Sequence, residues 1–421
     1  MVTTLLIIVF VLGYLVIALE HPLRLNKAAS ALMTGVLCWT IYAVQSTSAH
    51  IVTEELLHHL GEIASIVFFL LGAMTIVELI DSHNGFDLIT RKIETKSKAY
   101  LVLIVASITF FLSSLLDNLT TAIVMTSLCS KILNSKEDKL WFAGMVVIAA
   151  NAGGAWSPLG DVTTTMLWIG GQITAFSIIK QLILPSIAVC IIPALLIAYR
   201  FKGQKISEIP ESVCTPKEKR DGKFVLIAGT VLLVFVPVFK TITHLPPFMG
   251  MFLALGFIWI ITTIIHKGTE PELAYRFTVA RALQKVDTPS ILFFLGILLA
   301  VSSLESYGLL KNLAALLTNN LKNDYLIGAS LGLLSAVVDN VPLVAASQGM
   351  YDLSSYPTDH PFWQFLALTT GTGGSAIIIG SAAGVAVMGI EQINFMWYLK
   401  KITWLALIGF SAGILVFLLQ K

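Results

Sequence analysis

Long apolar runs constrain this chain more than any other feature. They lie near 2–19, 28–46, 62–80, 141–168, 176–199, 222–239, 248–266, 289–304, 362–389 and 396–420. Each is long enough to cross about 30 Å of hydrocarbon as a helix. Charged residues are only 12% of the 421, against roughly a quarter in soluble domains. A chain so poor in charge is solvated by lipid, and in lipid only helices or closed barrels satisfy the backbone. The expected fold class is therefore an all-α polytopic membrane protein. A net charge of +2 gives no reason to expect a nucleic-acid partner. The first run, Val2 to Leu19, has no basic flank and no small-residue cleavage site, so it reads as a span rather than a signal peptide. Cys38, Cys129, Cys190 and Cys214 are scattered without metal-ligand spacing and read as unpaired.

Two more apolar stretches, 99–133 and 325–350, could each be a pair of spans or a re-entrant hairpin. Charge decides between them. Arg91, Lys92, Lys96 and Lys98 precede the first stretch, and Lys131, Lys136 and Lys139 follow it. Both of its ends thus lie on one side, with Asp117-Asn118 halfway and no Gly, Pro or Lys to mark a turn at a far surface. In the second stretch the leg from Tyr325 to Val338 is 14 residues, roughly 21 Å of helix and too short to cross. Both therefore read as hairpins with tips near the midplane. With that topology 22 of the 27 Lys and Arg fall on one side, leaving Lys180, Lys240, Lys311, Lys322 and Lys421 on the other. The positive-inside rule makes the rich side cytoplasmic, with both termini outside and the chain in the cell's inner membrane.

The two halves echo each other. Ser113-x3-Asp117-Asn118 recurs as Ser335-x3-Asp339-Asn340, 222 positions on, and Gly153-Gly154 recurs as Gly373-Gly374, 220 on. Leu79-Ile80-Asp81-Ser82 has a weaker echo in Ser303-Leu304-Glu305-Ser306. Each half holds five spans and one hairpin, so the second copy enters inverted. The expected layout is a first repeat over 1–200 (hairpin 99–133, broken helix 141–168), a cytoplasmic linker over 201–221, and a second repeat over 222–421 (hairpin 325–350, broken helix 362–389). Inverted-topology repeats with a site at the midplane are the architecture of secondary transporters.

Ionisable groups at membrane depth are costly and mark function. Hairpin tips and broken helices free backbone groups, which survive in lipid only around a polar cavity. In the first copy, Ser113, Asn118, Thr120, Thr121, Asn151 and Ser157 can complete an oxygen-rich site around Asp117, and Asp161 is, with Asp117 and Asp339, a candidate for binding the cation or exchanging the proton. In the second, Asp339, Asn340, Thr372, Ser375 and Ser381, with Ser335 repeating Ser113, form the counterpart. Oxygen donors suit a hard cation, and Na⁺ is placed at Asp117, Asn118 and Asn151. A carboxylate binds Na⁺ or a proton but not both, and burial beside a like charge brings that exchange toward physiological pH. On this reading Asp117 and Asp339 meet and titrate as a coupled pair. Plainer roles stay open: Asp161 as a helix cap, the glycine pairs as close-packing devices, and Glu78 and Asp81 as solvated ends. The run EELLHHLGE (54–62), with His58 and His59, is a solvated face or a pH sensor. No Lys or Arg stands near either tip in the sequence. No ATP-binding motif, HExxH or nucleophile elbow is present, so no enzyme activity and no cofactor are expected.

FFLSSLLDNLTTAIVM (110–125) and LLSAVVDNVPLVAAS (333–347), each followed by a Gly-Gly broken segment, resemble the ion transporter superfamily. That superfamily includes NhaD sodium/proton antiporters, arsenite permeases and divalent-anion/sodium symporters, and the match is most like NhaD. In the symporters the tips carry Ser-Asn-Thr, whereas Asp117 and Asp339 here put negative charge where an anion would dock. The resemblance implies exchange of Na⁺, and of Li⁺, for H⁺ by alternating access. It also implies scaffold and transport subdomains, elevator-like motion and a homodimer in the lipid bilayer. An arsenite or other anion permease is the alternative from the same architecture.

Overall fold

The computed structural model describes residues 2–18, 20–23, 25–46, 49–86, 95–206, 216–268 and 275–420. Arg91, Lys92, Cys214 and residues 207–215 of the expected linker lie outside them. Among the described residues the chain is helical with no strand, as expected of a polytopic membrane protein. Seven helices among the described residues are long and apolar enough to cross a membrane, or eight if the pair Phe395–Lys401 and Thr403–Leu419, bent by 50°, counts as one span.

The helices of the first half recur in order in the second. Lys27–Gln45 is matched by Pro247–Ile265, and Val2–Ala18 by Pro216–Thr243. Asn118–Ile132 and Asn340–Met350 begin 222 positions apart. The two runs expected as broken helices are broken: Lys136–Gly154 gives way to Val162–Ile169, and Pro361–Gly373 to Ala382–Glu391. The apolar run alone could not show that each is two short helices rather than one long one.

The hairpin tips differ. The first arm, Lys98–Leu116, has 19 residues, so it is itself of spanning length. It meets Asn118–Ile132 across one residue, Asp117, whose φ of 76° and ψ of 156° lie in a region normally left to glycine. The Asp117 side chain holds this strained turn by accepting from Thr120 N at 2.8 Å and Thr120 Oγ1 at 2.9 Å. The second tip runs through Ser335 to Asp339 between Asp324–Leu334 and Asn340–Met350, and Asp339 caps Val341 N from ordinary extended backbone.

Packing sorts the helices into two groups. Val2–Ala18, Lys27–Gln45, Ala49–Ser82, Pro216–Thr243, Pro247–Ile265 and Thr288–Ser306 form one; the hairpins, the broken helices and the last helix of each half form the other. Within the second group each hairpin's first arm lies on a broken helix, and glycine makes this possible. A Cβ on Gly153 would collide with the Phe110 carbonyl, and one on Gly373 with the Gly332 carbonyl. The serines of the repeat pin the same seams. Ser113 Oγ donates to Ala150 O at 2.6 Å, and Ser335 Oγ to Thr370 O at 3.1 Å.

At the end of the helix Ala49–Ser82 a pair of buried His83 and half-buried His266 ties the first group together. His83 Nδ1 lies 2.6 Å from Leu79 O, and His83 Nε2 lies 3.0 Å from His266 Nε2. A carbonyl only accepts, so His83 Nδ1 carries the hydrogen and His266 donates to His83 Nε2. Phe277 stacks on His266 with centroids 4.3 Å apart. Burial pushes the His83 imidazole down to about 4. Unfolded chain takes up this proton near pH 6.5, so the stabilisation is full above that pH and is lost as pH falls toward 4. The difference is on the order of 3 kcal/mol at its limit. Melting of purified protein is expected to fall between pH 7 and pH 5, with the His83→Gln variant showing a flatter profile. An equal slope in both would show that His83 does not carry the effect.

Candidate functional site

Asp161 is the centre of the polar cluster. It sits at the break in the first broken helix, where it caps Val162–Ile169, with Oδ1 accepting from Thr163 N at 2.9 Å and Thr163 Oγ1 at 3.0 Å. Its other oxygen, Oδ2, accepts from Asn118 Nδ2 at 2.7 Å and from Asn340 Nδ2 at 3.3 Å. The asparagines of both repeated Asp-Asn pairs thus converge on one carboxylate, which is cap and hub at once.

Asn151 joins the halves. Its Oδ1 accepts from Asn118 Nδ2 at 3.1 Å, while its Nδ2 lies 2.9 Å from Ser375 Oγ and 2.9 Å from Ser381 Oγ. The two expected pseudo-symmetric sites are therefore one merged cluster of Asn118, Asn151, Asp161, Asn340, Ser375 and Ser381. All six are buried, and buried polar groups need this kind of mutual satisfaction. The repeat places Ser381 where the first half has Asp161, so the central carboxylate comes from one half only.

Asp117 and Asp339 each adjoin an asparagine of the cluster but line different cavities. Asp117, Asn118 and Asp161 line one cavity of about 40 Å³, enough for an ion with a water or two. Its other walls are mainly apolar, with Phe69, Leu70, Met251 and Phe294 among them and, among the described residues, no basic side chain. Asp339 lines a second cavity with Tyr14, Glu20 and Lys27, and no residue lines both. This corrects two expectations. The two tip aspartates do not meet: each caps its own helix start and lines its own cavity. A basic residue does reach a tip: Lys27 is distant in sequence but shares the Asp339 cavity.

Several expected ligands serve structure here. Thr372 Oγ1 donates to Leu368 O in its own helix at 2.6 Å. Ser157 Oγ accepts from Leu159 N at 3.3 Å in the break. Thr121 Oγ1 is buried with no hydrogen-bond partner, and Thr120 is bound to Asp117. Sequence reading passed over Thr163, which holds Asp161, although its place two residues after an expected cap was a usable signal. Of the histidine run, His58 is 74% exposed, whereas the His59 side chain is 15% exposed and lies 3.1 Å from Ser306 Oγ. Glu78 pairs with Lys285 at 2.6 Å.

Comparisons with known proteins agree along the length of the chain. Residues 7–371 match the model of the citrate transporter family, CitMHS. Sodium/proton antiporter 2 of Arabidopsis thaliana is 46% identical over 98% of this chain and 98% of its own length. Sodium/proton antiporter 1 of the same plant is 47% identical over 98% of this chain and 71% of its own. The Na⁺/H⁺ antiporter NhaD of Vibrio cholerae is 30% identical over 98% and 91%. Among solved structures, that of Neisseria gonorrhoeae MtrF aligns with a TM-score of 0.52 at 11% identity, covering 99% of this chain and 94% of that one. That last likeness speaks for the fold alone.

Proposed function

The chain belongs to the citrate transporter family, within the ion transporter superfamily and with the NhaD-type sodium/proton antiporters, and from there we propose that it exchanges Na⁺ for H⁺ across the membrane it spans. One observation carries this reading: Asp117 and Asp161 share a largely apolar cavity that no basic side chain lines among the described residues. Two carboxylates in such surroundings need cations or protons to offset their charge. A Na⁺ that enters displaces protons from them, and protons that return displace Na⁺. Competition for the same oxygens, combined with alternating access, is sufficient for antiport.

Within this reading Asp117 and Asp161 supply the charged oxygens, and the amide oxygens of Asn118 and Asn151 supply neutral ones. Asn340, Ser375, Ser381 and Thr163 hold the ligands in place by the hydrogen bonds described above. Li⁺ uses the same hard-oxygen set. Both cavities lie where the two helix groups meet, since Phe69 and Leu70 face Asp117, and Tyr14 and Lys27 face Asp339. That placement supports movement of the hairpin-bearing group against the other as the alternating step. An inner-membrane location with both termini outside, and a homodimer, belong to the same proposal.

The family name and Lys27 favour an anion carrier as the second reading. Lys27, however, shares its cavity with the carboxylates of Asp339 and Glu20, which leaves no net positive pocket. The discriminating experiment uses inside-out vesicles energised by respiration and loaded with a pH-sensitive dye. Added Na⁺ or Li⁺ is expected to release the quench, and citrate or arsenite is not. A response to the anions without one to Na⁺ would replace antiport with anion carriage.

A further inference from the structure

The repeat makes two Asp-bearing tips, and their cavities are built from corresponding helices. The first takes Leu233 from Pro216–Thr243 and Met251 from Pro247–Ile265. The second takes Tyr14 and Ile17 from Val2–Ala18 and Lys27 from Lys27–Gln45. The first is also walled by Ala49–Ser82 and Thr288–Ser306, and the two differ in charge. The first cavity has two carboxylates, Asp117 and Asp161, and no base. The second also has two, Asp339 and Glu20, but adds the Lys27 ammonium.

Lys27 is held in position. It opens its helix, and its backbone N–H donates to Glu20 Oε1 at 3.3 Å. Its Nζ lies 4.7 Å from the ring centroid of Phe293, a fully buried residue, in the geometry of a cation–π contact. From there it shares a cavity with the Asp339 carboxylate. An ammonium is a compact point charge comparable to a small cation in what it offers a carboxylate. The second cavity's two carboxylates and one ammonium carry a net charge of −1, against −2 in the first, so a mobile Na⁺ arriving at Asp339 meets a weaker attraction.

We propose that Lys27 is a tethered cation that fills the role of Na⁺ at the second tip, so that this protein binds Na⁺ at the Asp117–Asp161 cavity alone. The proposal rests on the Na⁺ reading above and makes Lys27 a specificity-determining residue. It also accounts for the conversion of a two-fold repeat into a single-site carrier.

The test counts sites. Equilibrium binding of radioactive Na⁺ to purified full-length protein at alkaline pH is expected to saturate at one ion per chain. The Lys27→Met variant removes the ammonium and leaves both cavities with two carboxylates and no base, so it is expected to saturate at two. Adding Asp339→Asn to that variant should return the count to one, and Lys27→Arg, which keeps the charge, should also bind one. A count of one for a Lys27→Met protein that melts like wild type would overturn the proposal. If that variant does not fold, Lys27→Gln keeps a polar stem without the charge; it too should bind two ions, and a count of one would overturn the proposal in the same way. Wild type that binds no Na⁺ at all would instead strike the antiport reading, whereas a count of one in both proteins strikes only the role of Lys27.

Discussion

Asp161→Asn is expected to abolish Na⁺-driven proton movement, by at least about 100-fold, in protein that still inserts. The carboxylate accepts from Thr163 N on one oxygen and from Asn118 and Asn340 on the other. In the variant one atom can still cap Thr163, but the other becomes an N–H donor aimed at two amide donors. Either both asparagines turn over or their hydrogen bonds are lost, and each unsatisfied buried group costs about 1–3 kcal/mol. The shared cavity also loses one of its two negative charges, the feature on which the proposed cation binding rests. Asp161→Glu keeps the charge and should retain more activity than Asp161→Asn, although its longer stem disturbs the cap. The measurement is exchange in vesicles, normalised to inserted protein. Asp161→Asn activity within about threefold of wild type would remove Asp161 from the mechanism and leave it as a cap.

The second large effect comes from the seam between hairpin and broken helix. In Gly373→Ala the new methyl would overlap the Gly332 carbonyl and lie 2.7 Å from Ser335 Oγ. A backbone carbonyl cannot swing aside as a flexible side chain can, so the hairpin arm must be pushed off its partner. A cost of about 3 kcal/mol is expected, at the upper end for overpacking. The same displacement would shift Ser375 and Ser381 away from Asn151, so exchange should fall with stability. Gly389→Ala is the matched control. It lies within the helix Ala382–Glu391 with nothing near its added methyl, and alanine there should be neutral or stabilising by up to about 1 kcal/mol. Melting of the purified variants decides the point, and equal melting for Gly373→Ala and Gly389→Ala would show that the seam can relax.

The broad architecture was legible because lipid imposes a strong rule on composition. Apolar runs of spanning length must be helices, and an Asp-Asn pair kept inside one signals a site. The repeat was legible too, since Ser113, Asp117, Gly153 and their counterparts stand at near-constant spacing. Each keeps a local job in both copies: the serine pins the arm, the aspartate caps, and the glycine admits a carbonyl. Such jobs depend on a few neighbouring residues, and spacing carries them.

Only the tertiary structure decided which of these groups belong together. Sequence order paired Asp117 with Asp339 because they are equivalent, yet equivalent positions in a repeat are related by symmetry and need not touch. The fold brings Asn118 and Asn340 to the middle and turns the aspartates to opposite cavities. It puts Asp161 between the asparagines because a broken helix, unlike a continuous one, can present a capping side chain to both hairpins. It also brings Lys27 to Asp339 from more than 300 positions away in the chain. Electrostatic attraction depends on distance through space, so a charge balance that differs between two otherwise repeated sites appears only once the helices have packed.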